Sequence, residues 1–232
     1  MNIENTAKNY IIALDTHNYP GSIAVGCNNL VLGVIELQTK VSHTKRLIEC
    51  INFLFTQLGI NPSLVKAIGV NRGPGSFTGL RIGLSFVKGF ALPFKLDIIG
   101  FDTCTLLAHT VVSEIPFIAA CVDAGRNEIY CRLFEQKQEN ITAISDFYLI
   151  SPHEIAQVLN GVEPNEIVLV GNGALKYQSV FQQSGYIHSM PGEIFLATIM
   201  LKLAFSEKGD ILNSERLDAI YIRKSDAELK KV

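Results

Sequence analysis

Apolar residues along the chain keep two rhythms, and their alternation lays out the elements. Residues 10–15 read as a buried strand, and 22–27 and 30–37 follow as a hairpin turned at Asn28-Asn29, a pair that tolerates positive φ. From His43 the spacing becomes helical, with Leu47, Ile48, Ile51, Leu54, Phe55 and Leu58 recurring along one helix to about residue 58. A short strand at 67–70, a glycine-rich turn and a helix from about 77 to 92 come next; the helix is expected to stop before Pro93. A strand at 98–99 precedes a helix capped by Asp102 or Thr103 and running to about Val112.

The second half repeats the order. Residues 117–123, 128–135 and 144–150 read as strands, and a helix with Pro152 in its first turn runs to about Leu159. A strand at 167–170 ends at Gly171-Asn172-Gly173 and a short helix follows. Pro191 opens a longer helix to about Ser206, and 217–223 is a short extended segment. Both halves run three strands, helix, strand, helix, without evident sequence identity. The pattern predicts an α/β protein of two lobes, each a mixed sheet with flanking helices, as in the actin-like, ribonuclease H-like superfamily. The polar pair Ser113-Glu114 ahead of Pro116 puts the boundary between lobes 1–113 and 114–232, with the last segment packing back on the first lobe.

The densest local signal is Asn71-Arg72-Gly73-Pro74-Gly75-Ser76-Phe77-Thr78-Gly79-Leu80-Arg81-Ile82-Gly83, between a strand and a helix. Glycines there permit close backbone approaches, Ser76 or Thr78 can cap the helix, and a free helix N-terminus attracts anions. Neither the P-loop nor the dinucleotide spacing is met: no lysine falls in place, and Gly79 comes one residue late. A tight packing turn and an anion site both remain open on these residues. Ser76 is also one position off the nucleophile elbow, so capping is its expected role.

Two aspartates end corresponding strands, Asp15 before Thr16-His17 and Asp123 before Ala124-Gly125. In the actin-like superfamily, Asp-x-Gly turns at these places hold nucleotide phosphates and magnesium, and the adenosine loop lies where Gly171 and Gly173 fall here. Asp15, Asp123, Gly125, Gly171 and Gly173 are therefore candidate, vestigial nucleotide residues, although aspartates after strands also serve as ordinary turn and cap residues. The five histidines are scattered (His43 has Leu47 at i+4), so no metal set is expected. No catalytic constellation stands out.

The helix from 77 is apolar nearly all round, interrupted by Arg81 and Lys88, so more than one of its faces must be covered. Either its own sheet and the preceding helix cover it, or the two helices share a strip with another chain. The strip residues would be Leu47, Ile51, Leu54, Phe55, Leu80, Gly83, Leu84 and Val87.

Bulk properties narrow the classes. With 232 residues, 48% hydrophobic, the chain can bury a large core, and its 18% charged residues are few for a soluble domain. A net charge of −2 and a pI near 6.2 give no field that would draw in RNA or an anionic membrane. The basic clusters are small: Lys40, Lys45 and Arg46, then Arg223, Lys224, Lys230 and Lys231. Five cysteines without a C-x-x-C pair suit a reduced compartment. No signal peptide fits Glu4, Lys8 and the short run ending at Asp15, and no apolar stretch reaches 18 residues, so a cytoplasmic protein without membrane attachment is expected.

Over most of its length the chain resembles the TsaB (YeaZ) family of tRNA threonylcarbamoyladenosine biosynthesis proteins. The likeness rests on AIGVNRGPGSFTGLRIGLSFVKGFA above all, supported by IIALDT, SHTKRLIECINFL, FDTCTLLA, VDAGRNEIY, VGNGA and AIYIR. It departs at His17-Asn18, where a serine often follows Asp-Thr, and at Gly125, frequently arginine. The resemblance implies an actin-like, non-catalytic subunit, with Arg72 to Gly79 and Arg81 as the family motif. It would bind and activate the catalytic transferase TsaD through its first-half helices, with the ATPase TsaE joining the pair. It also implies self-association through the same surface, tRNA contact only through the complex, no cofactor on the isolated chain and ATP or ADP admissible in the complex. A small actin-like ATPase or kinase using Asp15 and Asp123, and a metallopeptidase, are the rival readings.

Overall fold

A computed structural model describes residues 9–18, 21–38, 43–138, 140–159, 161–186 and 195–223, with the side chains of 43–46 left aside. The chain forms two compact units, Met1–Phe101 with Phe195–Ala219, and Asp102–Ile194 with Ile220–Val232.

In the first unit, β1 (Tyr10–Asp15) and the hairpin of β2 (Gly21–Cys27) and β3 (Leu30–Leu37) lead into α1 (His43–Leu58). Then come β4 (Val65–Asn71), α2 (Phe77–Phe94) and β5 (Asp97–Phe101). Asn28 and Asn29 both take the positive φ that the hairpin turn requires. β1 runs parallel to β4 and β4 to β5, while β2 and β3 are antiparallel, as three consecutive strands joined by short turns must be.

All six residues of β1 are buried, so the strand needs a layer on each side. On one side Ile12, Leu14, Ile23, Val25, Ile68 and Val70 meet Leu47, Ile51 and Leu54 of α1 and Leu84 and Val87 of α2. On the other, α7 (Ala197–Phe205) packs on β1 and β2.

The second unit opens with α3 (Thr103–Ala108), then β6 (Phe117–Gly125), β7 (Glu128–Lys137), β8 (Asn140–Ala143) and β9 (Tyr148–Ile150). After them stand α4 (Ile155–Val158), β10 (Ile167–Val170), α5 (Asn172–Lys176) and α6 (Gln178–Gln183). β10 is parallel to β6, and β7 is antiparallel to β6, β8 and β9. Phe181, Ile155, Leu159 and Tyr186 close the core over Cys121, Cys131, Ile129 and Leu169. Each unit is thus a mixed sheet with flanking helices, the actin-like lobe that the order of elements predicts. Among the described residues no helix is long and apolar enough to cross a membrane.

Several expectations need correction. α2 runs through Pro93 to Phe94, since only one terminal hydrogen bond is forfeited there and Gly89, whose carbonyl loses it, is exposed to water. α3 stops at Ala108. Of the strand expected at 144–150 only 148–150 is observed, as β9; residues 144–147 form no strand, and β8 at 140–143 was not anticipated. Residues 217–223 form no strand, whereas β11 (Asp210–Leu212) pairs with β5 and was not anticipated. The helix start expected at Pro191 lies outside the described residues; the helix is observed from Ala197. The units divide at Phe101/Asp102 rather than 113/114, because Asp102 caps α3 and its carboxylate pairs with Arg132 of β7, tying that helix to the second sheet. Lys40, Lys224, Lys230, Lys231, His188, Glu4 and Lys8 also lie outside the described residues, as do the side chains of His43, Lys45 and Arg46.

Candidate functional site

The glycine-rich motif is a latch. β1 ends at Asp15; Asp15 and the following Thr16 and His17 are all buried, and the motif closes onto Thr16 and His17. Ser76 N–H donates to the His17 carbonyl at 2.6 Å, and Thr16 Oγ1 donates to the Gly79 carbonyl at 2.8 Å. A Cβ on Gly75 would stand 2.5 Å from the His17 oxygen, on Gly79 2.1 Å from the Thr16 oxygen, and on Gly83 2.2 Å from Thr16 Oγ1. Three glycines therefore set how closely the motif and the first turns of α2 approach the Thr16-His17 segment that follows β1. Ser76 accepts from Gly79 N–H at 3.3 Å and so caps α2. Of the two readings left open for this turn, close packing accounts for its glycines and spends the Ser76 N–H that an anion would have used.

Arg72 belongs to the same latch. Its Nε donates to the Asp218 carbonyl at 3.0 Å and its Nη1 to Asp210 at 3.2 Å, holding 210–219 to the first unit. Gly73 takes φ 108°, open to glycine alone at little cost, and donates to Asn71 Oδ1 at 2.9 Å. Gly73 and Pro74 are buried; Phe77, Thr78 and Arg81 are exposed, with the Arg81 guanidinium 3.7 Å from the centre of the Phe77 ring.

The two aspartates lie in different units, and each is engaged by its own surroundings. The buried Asp15 carboxylate faces His17 Nδ1 at 2.8 and 3.0 Å and accepts from Asn71 Nδ2 at 3.0 Å and from His17 N–H at 3.1 Å. Asp123 receives Lys176 Nζ at 3.0 and 2.8 Å and the Gly125 N–H at 3.1 Å. Donation to the Asp123 carboxylate, ahead of a smaller contribution from the neighbouring Tyr177, holds the Lys176 ammonium above its ordinary pKa. Gly125 and Gly171 take φ of 66° and 109°; a Cβ on Gly171 or Gly173 would reach the Cys121 carbonyl at 2.4 or 2.9 Å. These glycines seat the β10–α5 junction on β6, where Asn172 accepts from Asp123 N–H. Arg223, at the end of the described chain, binds the Ala124 carbonyl and Glu128 and so fastens the β6–β7 turn. Among the described residues no group of three or more histidine, cysteine or acidic side chains could hold a metal.

The helix strip needs a correction of face. Leu47, Ile51, Leu54, Phe55, Leu80, Gly83, Leu84 and Val87 are all buried; they fill the core under α1 and α2, and a partner docking on the folded unit would not meet most of them. What the two helices present outward is a different set. Ile48, Ser85, Phe86, Gly89 and Phe90, floored by Ile51 and bordered by Asn52, line an apolar groove of about 370 Å³ between the helices. Phe86 stacks on Phe90 at 5.6 Å between ring centres, and Phe90 meets Phe94 at 5.5 Å. Ile48 is 53% exposed and Phe53, on the next face of α1, 57%. The i, i+4 ladder of Phe86, Phe90 and Phe94 was the signal in the sequence; helical spacing identifies two stripes without saying which one the sheet takes.

The chain is similar to known proteins along most of its length. The sequence profile of the family TsaD, tRNA N6-adenosine threonylcarbamoyltransferase, matches residues 29–207. The tRNA threonylcarbamoyladenosine biosynthesis protein TsaB of Escherichia coli (strain K12) is 29% identical over 228 residues, covering 94% of this chain and 96% of its own. TsaB of Haemophilus influenzae is 26% identical, covering 92% and 93%. The solved structure of YeaZ from Pseudomonas aeruginosa superposes with a TM-score of 0.77 at 22% identity, covering 92% of this chain and all of that one; this likeness concerns the fold.

Proposed function

Since the chain belongs to the tRNA N6-adenosine threonylcarbamoyltransferase family, as a member of TsaB/YeaZ type, we propose that it serves tRNA threonylcarbamoyladenosine biosynthesis as a non-catalytic subunit. In this reading it binds the catalytic TsaD chain through the outer faces of α1 and α2, and TsaE joins the pair. The observation that carries the proposal is the uncharged groove of Ile48, Phe86 and Phe90, open on a unit whose own core is already filled. An exposed, continuous apolar patch of this kind marks an interaction site, and a groove between two helices suits a helix laid into it. The engagement of Asp15 by His17 and Asn71, and of Asp123 by Lys176, supports the non-catalytic part, because each carboxylate would have to leave its partners before it could hold a nucleotide's metal ion.

Activation follows from differential binding: the partner is shifted toward whichever conformation buries the groove best. The mildly acidic surface leaves most tRNA contacts to that partner.

Ile48→Asp and Phe90→Asp test the reading. Each would bury an unpaired carboxylate at the joint, costing several kcal/mol of association. Capture of TsaD by the tagged chain, and threonylcarbamoylation of tRNA by the assembled proteins, are expected to fall together. Unchanged capture with both variants overturns the groove assignment. Calorimetric titration of the isolated chain with Mg-ATP, expected to show no binding, separates the proposal from the ATPase reading.

A further inference from the structure

Along the path from the groove to the end of α1, the surface turns from apolar to polar. A second depression, of about 500 Å³, is lined by Phe55, Thr56, Gly59, Ile60, Asn61 and Pro62, and Asn52 borders both it and the apolar groove. Three polar side chains stand on this path, and two are spent within the chain. Thr56 Oγ1 turns back on its own helix to donate to the Asn52 carbonyl at 2.8 Å. The Asn61 side-chain oxygen accepts from both Ser63 N–H and Ser63 Oγ, at 3.0 and 2.9 Å. The Asn52 side-chain amide is exposed and makes no hydrogen bond among the described residues, so its donors and acceptor are supplied by water. A helix laid into the groove would strip that water away. An amide shut into an apolar joint without a partner is penalised, whereas one that meets a matching group fixes register and partner choice.

Resting on the docking role proposed above, we infer that Asn52 is the specificity-determining residue of this surface. The occupant it fits is a helix of the TsaD partner, apolar along the stretch facing Ile48, Phe86 and Phe90, with one uncharged amide or hydroxyl side chain opposite Asn52. The uncharged lining of the groove supports this choice, since neither Ile48, Phe86, Phe90, Ser85 nor Gly89 offers a counter-ion to a charged partner.

Titration calorimetry of the whole chain against TsaD of the same organism tests the inference, with sedimentation velocity on the chain alone. Asn52→Leu keeps the helix and the branching of the side chain but removes the amide, leaving the partner's polar group unpaired; affinity is expected to fall about tenfold or more. Circular dichroism and an unchanged melting temperature establish that the variant folds. If Ile48→Asp and Phe90→Asp abolish binding while Asn52→Leu binds within twofold of the parent, the inference is overturned and the docking surface stands. If the aspartate variants bind normally, the docking surface itself fails. If Asn52→Leu turns the chain into a dimer and leaves TsaD affinity unchanged, the amide serves against self-pairing, and the specificity role is lost.

Discussion

Gly79 and Gly89 sit on the same helix and bear opposite loads. A methyl group on Gly79 would be driven to 2.1 Å from the Thr16 backbone oxygen, which cannot swing aside as a side chain could. At Gly89 nothing lies within 4 Å of the added carbon. Gly79→Ala is therefore expected to destabilise the fold by about 2–3 kcal/mol, the upper part of the range for overpacking. Gly89→Ala should stabilise it by up to about 1 kcal/mol through helix propensity. Urea unfolding midpoints at constant slope measure both; equal shifts for the two variants would show that the latch geometry plays no part. The same scale explains Arg72, whose reach across the chain to Asp210 and Asp218 no local pattern encodes.

At the scale of the element, the β6–β7 pair holds the most titratable chemistry. Cys121 lies directly across from Cys131, with the sulfurs 3.9 Å apart, and Cys104 of α3 donates to the Ala120 carbonyl. Burial pushes the Cys104 thiol well above its ordinary 9.0; the hydrogen bond with Cys131, then burial, does the same for Cys121. Burial likewise raises the phenols of Tyr130 and Tyr186 from 10.0. In each case the folded state favours the protonated, neutral form. The stability this confers is complete below the unfolded value and is lost as pH rises past it. Stability should hold through pH 8 and decline above about pH 9, read as a fall in urea midpoint between pH 8 and pH 10. A thiol reagent at pH 8 should modify the half-buried Cys27 and Cys50 before the three buried cysteines. A midpoint at pH 10 equal to that at pH 8 would contradict the assignment.

For the whole molecule, the late segment 195–219 returns to the first unit, where α7 covers β1 and β2 and β11 extends the sheet beyond β5. Arg72 is the side chain that fastens 210–218, so Arg72→Met should loosen that segment while β1 and β4 stay closed. Hydrogen exchange at 210–219 is expected to quicken by about tenfold, the equivalent of roughly 1.4 kcal/mol of local opening. Uniform acceleration through β1 and β4 would instead mean that Arg72 supports the unit as a whole.

How much was legible follows the range of the forces involved. β1 to β7 show in the sequence because short apolar runs and the turn residues that bound them, such as Asn28-Asn29, are local, and α1 and α2 show because their apolar stripes repeat every third or fourth residue. β11 did not, since three residues in a polar stretch become a strand only when β5 offers an edge. Which helix stripe is buried was not legible for a related reason: Leu47, Leu84 and Val87 are as apolar as Ile48, Phe86 and Phe90, and only packing against Ile12, Leu14 and Ile68 decides which set the core consumes. By itself the chain's residue pattern determined the element order, the actin-like lobes and the motif that carries the family likeness, because hydrophobic period, turn chemistry and caps act within a few residues. Tertiary structure alone decided that the glycines latch α2 onto the Thr16-His17 segment after β1, that Asp15 and Asp123 are engaged by His17 and Lys176, and which helix faces remain open. Those outcomes depend on contacts between residues far apart in sequence, whose distances exist only once the sheets have formed.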